Sequence, residues 1–175
     1  MKLLKSILVL FIAISITSCS SDDDNSLELT SENLAGTFKI TSYKSVETET
    51  AKNTAGTVIG SSTTTKNRSS STIVVTLNSN NTYSIEGILV LDSKTGNDKN
   101  DDEINDLNDT KGTYAFSNVE PKTFTLTESE GKKLIIGNFE IKSFNVNSLV
   151  LKQETNTNAG NIEIKTITDI TLERN

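Results

Sequence analysis

The chain carries three groups of residues whose types and spacing can do chemistry. The first is a single cysteine, Cys19, the only thiol in 175 residues. It follows a basic start (Lys2, Lys5), an apolar run over residues 6–15 and the small-residue step Ile16-Thr17-Ser18. The run is too short for a membrane span, which needs ~20 residues, and has the proportions of a secretory h-region. The second group is the acidic stretch 98–109. Calcium takes roughly six to eight oxygen ligands, and Asp98, Asn100, Asp102 and Asp109 fall at positions one, three, five and twelve of a calcium-loop spacing. Against that reading, Glu103 stands where such a loop needs a glycine, Asp109 replaces the bidentate Glu, and no flanking helices are evident. A solvated acidic connection is the competing account. The third group is a set of side chains able to wall an apolar pocket: Phe38, Tyr83, Ile85, Tyr114, Phe116 and Phe124. Core packing alone would place the same residues in the same way.

The segment ending in Ile16-Thr17-Ser18-Cys19 resembles a bacterial lipoprotein signal, with those four residues as its lipobox. The resemblance implies cleavage before Cys19 and a diacylglyceryl thioether on its sulfur, usually with an acyl group on the new amine. One acyl chain gives only reversible membrane binding, whereas two or three hold firmly. The residues that follow, Ser20, Ser21, Asp22, Asp23 and Asp24, resemble the acidic export signal of Bacteroidota-type surface lipoproteins. That resemblance implies placement on the outside of the outer membrane; a polar tether is the plainer account of the same residues. The organisation expected is a signal over 1–18, a lipidated cysteine and acidic tether over 19–32, and one domain over 33–175.

Composition narrows the function. Net charge is −6, and losing the two lysines of residues 1–18 takes it near −8. Nucleic acid is therefore not an expected partner, because phosphate binding needs clustered Lys and Arg. There is no His and no Trp. Without His there is no Ser-His-Asp triad, no His-ligated zinc and no imidazole acid–base catalysis. With its only Cys committed to lipid, the domain has no disulfide and no thiol chemistry. An enzyme would have to rest on Asp, Glu, Lys, Tyr or Ser. Glu86, Glu128, Glu140 and Glu163 fall on expected strands with nothing in the sequence pairing them, so no enzymatic activity is expected.

These side chains must be positioned by strands. Apolar residues alternate with Thr- and Ser-rich polar ones, the period-two signal of half-buried strands. The alternation covers residues 36–42, 73–77, 83–91, 111–117, 122–127, 134–144, 149–151 and 162–172, with turns expected at Asn78–Asn81, Glu128–Gly131, Asn145–Asn147 and Asn156–Asn161. Residues 47–71 read as a weak exposed hairpin or a mobile loop, and 92–110 as a long acidic loop. Ser31 or Asn33 is placed to cap one helical turn before Gly36. Eight or nine strands joined by short turns pair antiparallel with their neighbours. An all-β up-and-down meander follows, closed into a barrel or curled into a half-barrel, with a two-sheet sandwich as the alternative.

The segments Leu34–Ser42, Val75–Tyr83 and Lys111–Phe116, with Phe139–Phe144 followed by Leu149-Val150-Leu151, resemble the lipocalin-like domain of secreted bacterial lipoproteins. The resemblance spans most of residues 34–173. It implies a calycin-type barrel and, in some relatives, a cavity for small apolar ligands. Lipocalins commonly open with Gly-x-Trp, and a basic residue from the last strand packs over that Trp. Here Gly36-Thr37-Phe38 stands at that place, and Arg174 is positioned to lie over Phe38, a weaker seat for a cation than Trp. The function expected is an envelope lipoprotein whose barrel binds a small apolar or amphiphilic ligand. The alternative is a surface module that contacts protein or glycan through its loops without a cavity.

Overall fold

The computed structural model describes residues 27–98, 101–131 and 134–175; Cys19, Ser20–Asp24 and Asn100 lie outside the described residues. One helical turn, α1 (Ser31–Leu34), precedes β1 (Gly36–Lys52), β2 (Val58–Ser71), β3 (Val74–Leu77), β4 (Thr82–Glu86), β5 (Ile88–Thr95), β6 (Asp101–Asp106), β7 (Thr110–Ser117), β8 (Thr123–Glu130), β9 (Gly137–Phe144), β10 (Ser148–Ala159) and β11 (Ile162–Arg174). Every pairing is antiparallel, and β11 pairs with β1. The ring β1-β3-β4-β7-β8-β9-β10-β11 therefore closes as an eight-stranded barrel of lipocalin-like form.

The remaining strands are continuations. β2 runs into β3 across Thr72–Ile73, β4 into β5 across Gly87, and β6 into β7 across Leu107–Asp109. These breaks sit at one level. Leu107 N–H donates to Gly87 O at 2.9 Å, Thr72 N–H to Ile88 O at 2.9 Å, and Gly87 N–H to the Asn108 side-chain oxygen at 2.7 Å. Gly87 has φ 112°, and a Cβ there would stand 2.6 Å from Thr72 O, so only glycine allows the bend. Above that level β2, β5 and β6 leave the barrel wall. They extend one tall sheet, in the order β10-β11-β1-β2-β5-β6, beyond the rim formed by β8 and β9.

Alternation in the sequence becomes the core. Phe38, Ile40, Val75, Leu77, Tyr83, Ile85, Phe124, Leu126, Phe139, Leu149, Leu151, Ile170 and Leu172 all face inward and are buried in one cluster. A shift in register between Ile40 and Ser42 re-phases β1, so that Tyr43 and Ser45 continue its inner face. The barrel floor is closed by residues 27–35. Leu29 and Leu34 are buried in the core, and Asn118 donates to Leu29 O at 3.2 Å. Residues 27–32, within the tether expected over 19–32, belong to the domain: Leu27 and Leu29 pack against its core. The cap of α1 is Thr30, not Ser31 or Asn33. Its hydroxyl accepts from Asn33 N–H at 3.1 Å, while Ser31 Oγ donates to Asn81 at 2.8 Å.

Arg174 locks the same floor. Its guanidinium carbon stands 4.7 Å above the Phe38 ring. The head donates to Asn33 O (2.6 Å), Ala35 O (2.7 Å) and Val146 O (3.1 Å). A Cβ on Gly36 (φ 149°) would meet Arg174 Nη1 at 2.3 Å, which is why the strand opens on glycine.

Residues 47–71 form an exposed hairpin, one of the two expected readings: they make the upper arm of β1 and the whole of β2, and β1 pairs with both β11 and β2 there. Three connections differ from expectation. Residues 101–106 are a paired strand, β6, where a loop was expected. β8 runs through Glu130 and β10 through Ala159, so the turns expected at Glu128–Gly131 and Asn156–Asn161 are narrower. These arms show no apolar alternation because both their faces meet solvent. They are held by ladder hydrogen bonds, by threonine's preference for extended backbone, and by the ion pairs Lys52–Glu163, Lys66–Glu103 and Lys165–Glu154.

Candidate functional site

The residues expected to wall a pocket are brought together inside the barrel. Phe38 and Phe124 are 0% exposed, Ile85 1%, Tyr83 2% and Tyr114 3%. Phe116 packs half-buried against the same cluster. The Tyr114 and Phe124 rings lie 5.5 Å apart, and Tyr114 Oη donates to Asn78 O at 2.7 Å. Side chains this enclosed border no water-sized void. In this structure they are packed core, joined by Leu34, Ile40, Leu89, Leu91, Leu149 and Leu151.

One row of the barrel is unusual. Tyr83 pairs across with Gly112, and Gly112 with Glu128. A Cβ on Gly112 would stand 2.9 Å from Tyr83 Cε1, so the tyrosine ring lies over the glycine. Tyr83 Oη and Glu128 Oε2 are buried and hydrogen-bond no protein group. Burial, followed by the negative charge of Glu128, pushes the Tyr83 phenol up to about 12. Because burial disfavours the phenolate, stability is unaffected by this group below pH ~10, where the unfolded chain's tyrosine begins to ionise, and falls as pH rises toward 12. Tyr83→Phe is expected to flatten the part of the alkaline stability loss between pH 10 and 12 that this phenol causes, about 3 kcal/mol at most. At pH 7 it should be neutral or stabilising by about 1 kcal/mol, since it removes an unpaired buried hydroxyl. Urea unfolding of both proteins at pH 7, 10 and 11.5 reads this directly; equal pH slopes would refute it.

The acidic residues do not converge. Asp98 lies at the β5–β6 end, Asp102 within β6, and Asp109 (φ 62°) beyond the other end of that strand. Six strand residues at about 3.3 Å each keep Asp98 and Asp109 apart, and Asn100 lies outside the described residues. The calcium-loop geometry expected from spacing is therefore not formed. Among the described residues no three Asp or Glu side chains are grouped to hold a metal.

What the fold does assemble is the inner face of the tall sheet. Continuing the alternation upward from Tyr43 and Leu91 gives Ser45, Glu47 and Glu49 on β1, Lys66 and Thr64 on β2, Thr166 and Thr168 on β11, and Glu103 on β6. Thr168 Oγ1 donates to Ser45 Oγ at 3.3 Å, both buried. Thr64 and Thr95 hydroxyls meet at 2.8 Å, and Thr166 donates to Glu47 at 3.5 Å. Lys66 reaches Glu103 at 2.6 Å, and Asn105 donates to the other oxygen of that carboxylate at 3.3 Å. The lysine hydrogen bond, above all, holds Glu103 below the usual carboxylate range. Tyr43 is raised, chiefly by burial, with Glu103 adding to it and a hydrogen bond to Ser45 opposing it. At the top, the tips of the β1–β2 and β10–β11 hairpins enclose a cleft of about 220 Å³. Lys52, Asn53, Asn158, Asn161, Ile162 and Glu163 are among the residues lining it. Lys52 N–H donates to Asn161 O at 2.8 Å, joining the two hairpins.

Sequence reasoning missed this surface because its residues are ordinary Ser, Thr, Asn, Lys and Glu, with no motif or apolar period to mark them. Only the strand register gathers them on one face. The chemistry they offer is hydroxyl, amide and carboxylate, suited to a ligand rich in hydrogen-bond donors. Comparison with protein-family models, with curated proteins and with solved structures gave no match.

Proposed function

We propose that the chain is an envelope lipoprotein, anchored through lipid on Cys19 and exposed at the outer surface, whose packed barrel is a pedestal for the tall sheet. The sheet's inner face and the cleft above it contact a polyhydroxylated ligand, a glycan. One observation carries this reading: the barrel interior is filled with apolar side chains, while the surface above it is lined by hydroxyls, amides and carboxylates. Ligand sites are mostly apolar with a few placed polar groups, so a surface this polar suits a polar partner. The second reading, a small apolar or amphiphilic ligand inside the barrel, is favoured by closure into eight strands, a size with room for one small ligand or for packed side chains.

The anchor and the surface are tested together. Cys19→Ser is expected to move the protein from the membrane pellet to the soluble fraction; retention in the pellet would defeat the anchor. On that soluble chain, Asn161→Ala and Glu47→Gln should each weaken retention by a surface polysaccharide several-fold without changing the melting temperature. Retention unaffected by both substitutions would defeat the placement.

A further inference from the structure

Among the described residues, the tall sheet ends in two unpaired edges of opposite character. Arg174 N–H donates to Asn147 O at 2.7 Å, and the register from Ser148↔Glu173 to Ala159↔Ile162 runs without a shift. Odd-numbered residues of β10 therefore exchange bonds with β11, and even-numbered residues turn N–H and C=O the other way. β9 accompanies that outer side only as far as Lys152↔Glu140. Gln153 then closes off the pairing, its side-chain amide donating to Ile136 O (3.1 Å) and Asn138 O (3.3 Å). Beyond it, among the described residues, no strand lies beside Glu154, Asn156 or Asn158.

The far edge, β6, carries Asp101, Asp102, Glu103 and Asp106, the charged guard that keeps an edge from pairing. The β10 edge has no such guard. Between Gln153 and Ala159 its single charge is Glu154, already held by Lys165 at 2.6 Å. The run is also self-complementary. Set antiparallel to itself about Asn156, it places Asn156 opposite Asn156, Glu154 opposite Asn158 and Thr155 opposite Thr157. No like charges face each other, and the Thr–Thr pairs are of a favourable cross-strand type. Asn156, Glu154 and Asn158 are the residues whose backbone groups point outward, so this register joins them as mutually bonded pairs. Self-pairing of β6 in the same way, about its outward-facing Ile104, would set Asp102 against Asp106.

We propose that the upper arm of β10 is the self-association edge of this protein, where a second copy adds its own β10 antiparallel about Asn156. The contact is two-fold and closes as a dimer. It runs the two tall sheets into one, leaving the acidic β6 edges at the ends. It stands independently of what the sheet's inner face binds.

The test uses the full chain in intact cells. Asn156→Cys sets two thiols across the two-fold with Cα atoms about 5.5 Å apart, inside the disulfide range of ~4.4–6.8 Å. Mild oxidant should give at least tenfold more covalent dimer than either the unsubstituted chain, which reports Cys19 alone, or Asp102→Cys on β6. Asn156→Pro removes only an outward N–H and leaves the β10–β11 ladder whole. Light scattering of the detergent-solubilised proteins should give two copies for the unsubstituted chain and one for Asn156→Pro, at the same melting temperature. A single copy for the unsubstituted chain overturns the proposal. So does cross-linking no greater than that of Asp102→Cys, or a dimer that survives Asn156→Pro. Larger assemblies abolished by substitutions in β6 would also overturn it, as head-to-tail growth. If Asn156→Pro fails to fold, the cysteine comparison still decides.

Discussion

Arg174→Ala is expected to lower the unfolding free energy by about 3 kcal/mol and the melting temperature by roughly 10 °C. Three carbonyls, of Asn33, Ala35 and Val146, lose a charged donor at once, and the Phe38 ring loses the cation 4.7 Å above it. Hydrogen bonds to charged groups contribute about 1.5–3 kcal/mol each. Partial exposure of the head and water reaching the freed carbonyls bring the sum well below simple addition. Arg174→Lys should recover less than half of the loss, because an ammonium cannot span three carbonyls held to a planar fork. Urea denaturation of the three proteins at pH 7 measures this. A loss under about 1 kcal/mol for Arg174→Ala would show that the floor does not depend on the arginine.

Gly112→Ala is expected to cost still more, about 4 kcal/mol, and to reduce the yield of folded protein. The new Cβ would stand 2.0 Å from Thr127 O and 2.9 Å from its carbonyl carbon, with Tyr83 Cε1 at 2.9 Å. Two of those atoms are backbone of β8, the strand paired with β7. They cannot withdraw without opening the barrel wall, and the Tyr83 ring has nowhere to go in a filled interior. Gly60→Ala on β2 is the matched control: nothing lies within 4 Å of its Cβ position, so the change should stay within about 0.5 kcal/mol or stabilise slightly through the unfolded chain. Similar losses at both positions would mean that the clash at Gly112 is relieved by a shift of β8.

The contrast between those glycines follows what the sequence made legible. Where a strand buries one face, alternation identified it: Phe38 and Ile40, Tyr83 and Ile85, Phe124 and Leu126, Leu149 and Leu151, Ile170 and Leu172 all face the core. The Asn78–Asn81 turn was legible too, because Asn81 takes the left-handed angle (φ 64°) that asparagine tolerates. The cation over Phe38 was expected only through the resemblance to lipocalin-like domains, which sets a basic residue of the last strand, here Arg174, over the aromatic that follows Gly36. The upper arms were not. β2 and β6 bury neither face, so hydrophobic period carries no information there. Their partners are fixed by the continuation of β3 and β7 past Thr72–Ile73 and Leu107–Asp109. Nor does any local signal show that Ser45 meets Thr168, 123 residues away. Residues 101–106 of the acidic run read as loop for the same reason: with both faces in solvent, β6 carries no apolar period.

The central claim is that the barrel is solid and the tall sheet above it makes the contacts. It is tested most directly on the Cys19→Ser chain with two probes side by side: titration with a fluorescent fatty acid, and electrophoresis through gel containing a neutral cell-surface polysaccharide. The account predicts no saturable fatty-acid uptake and retardation by the polysaccharide. Stoichiometric, saturable uptake of the fatty acid with no retardation in the gel would contradict it.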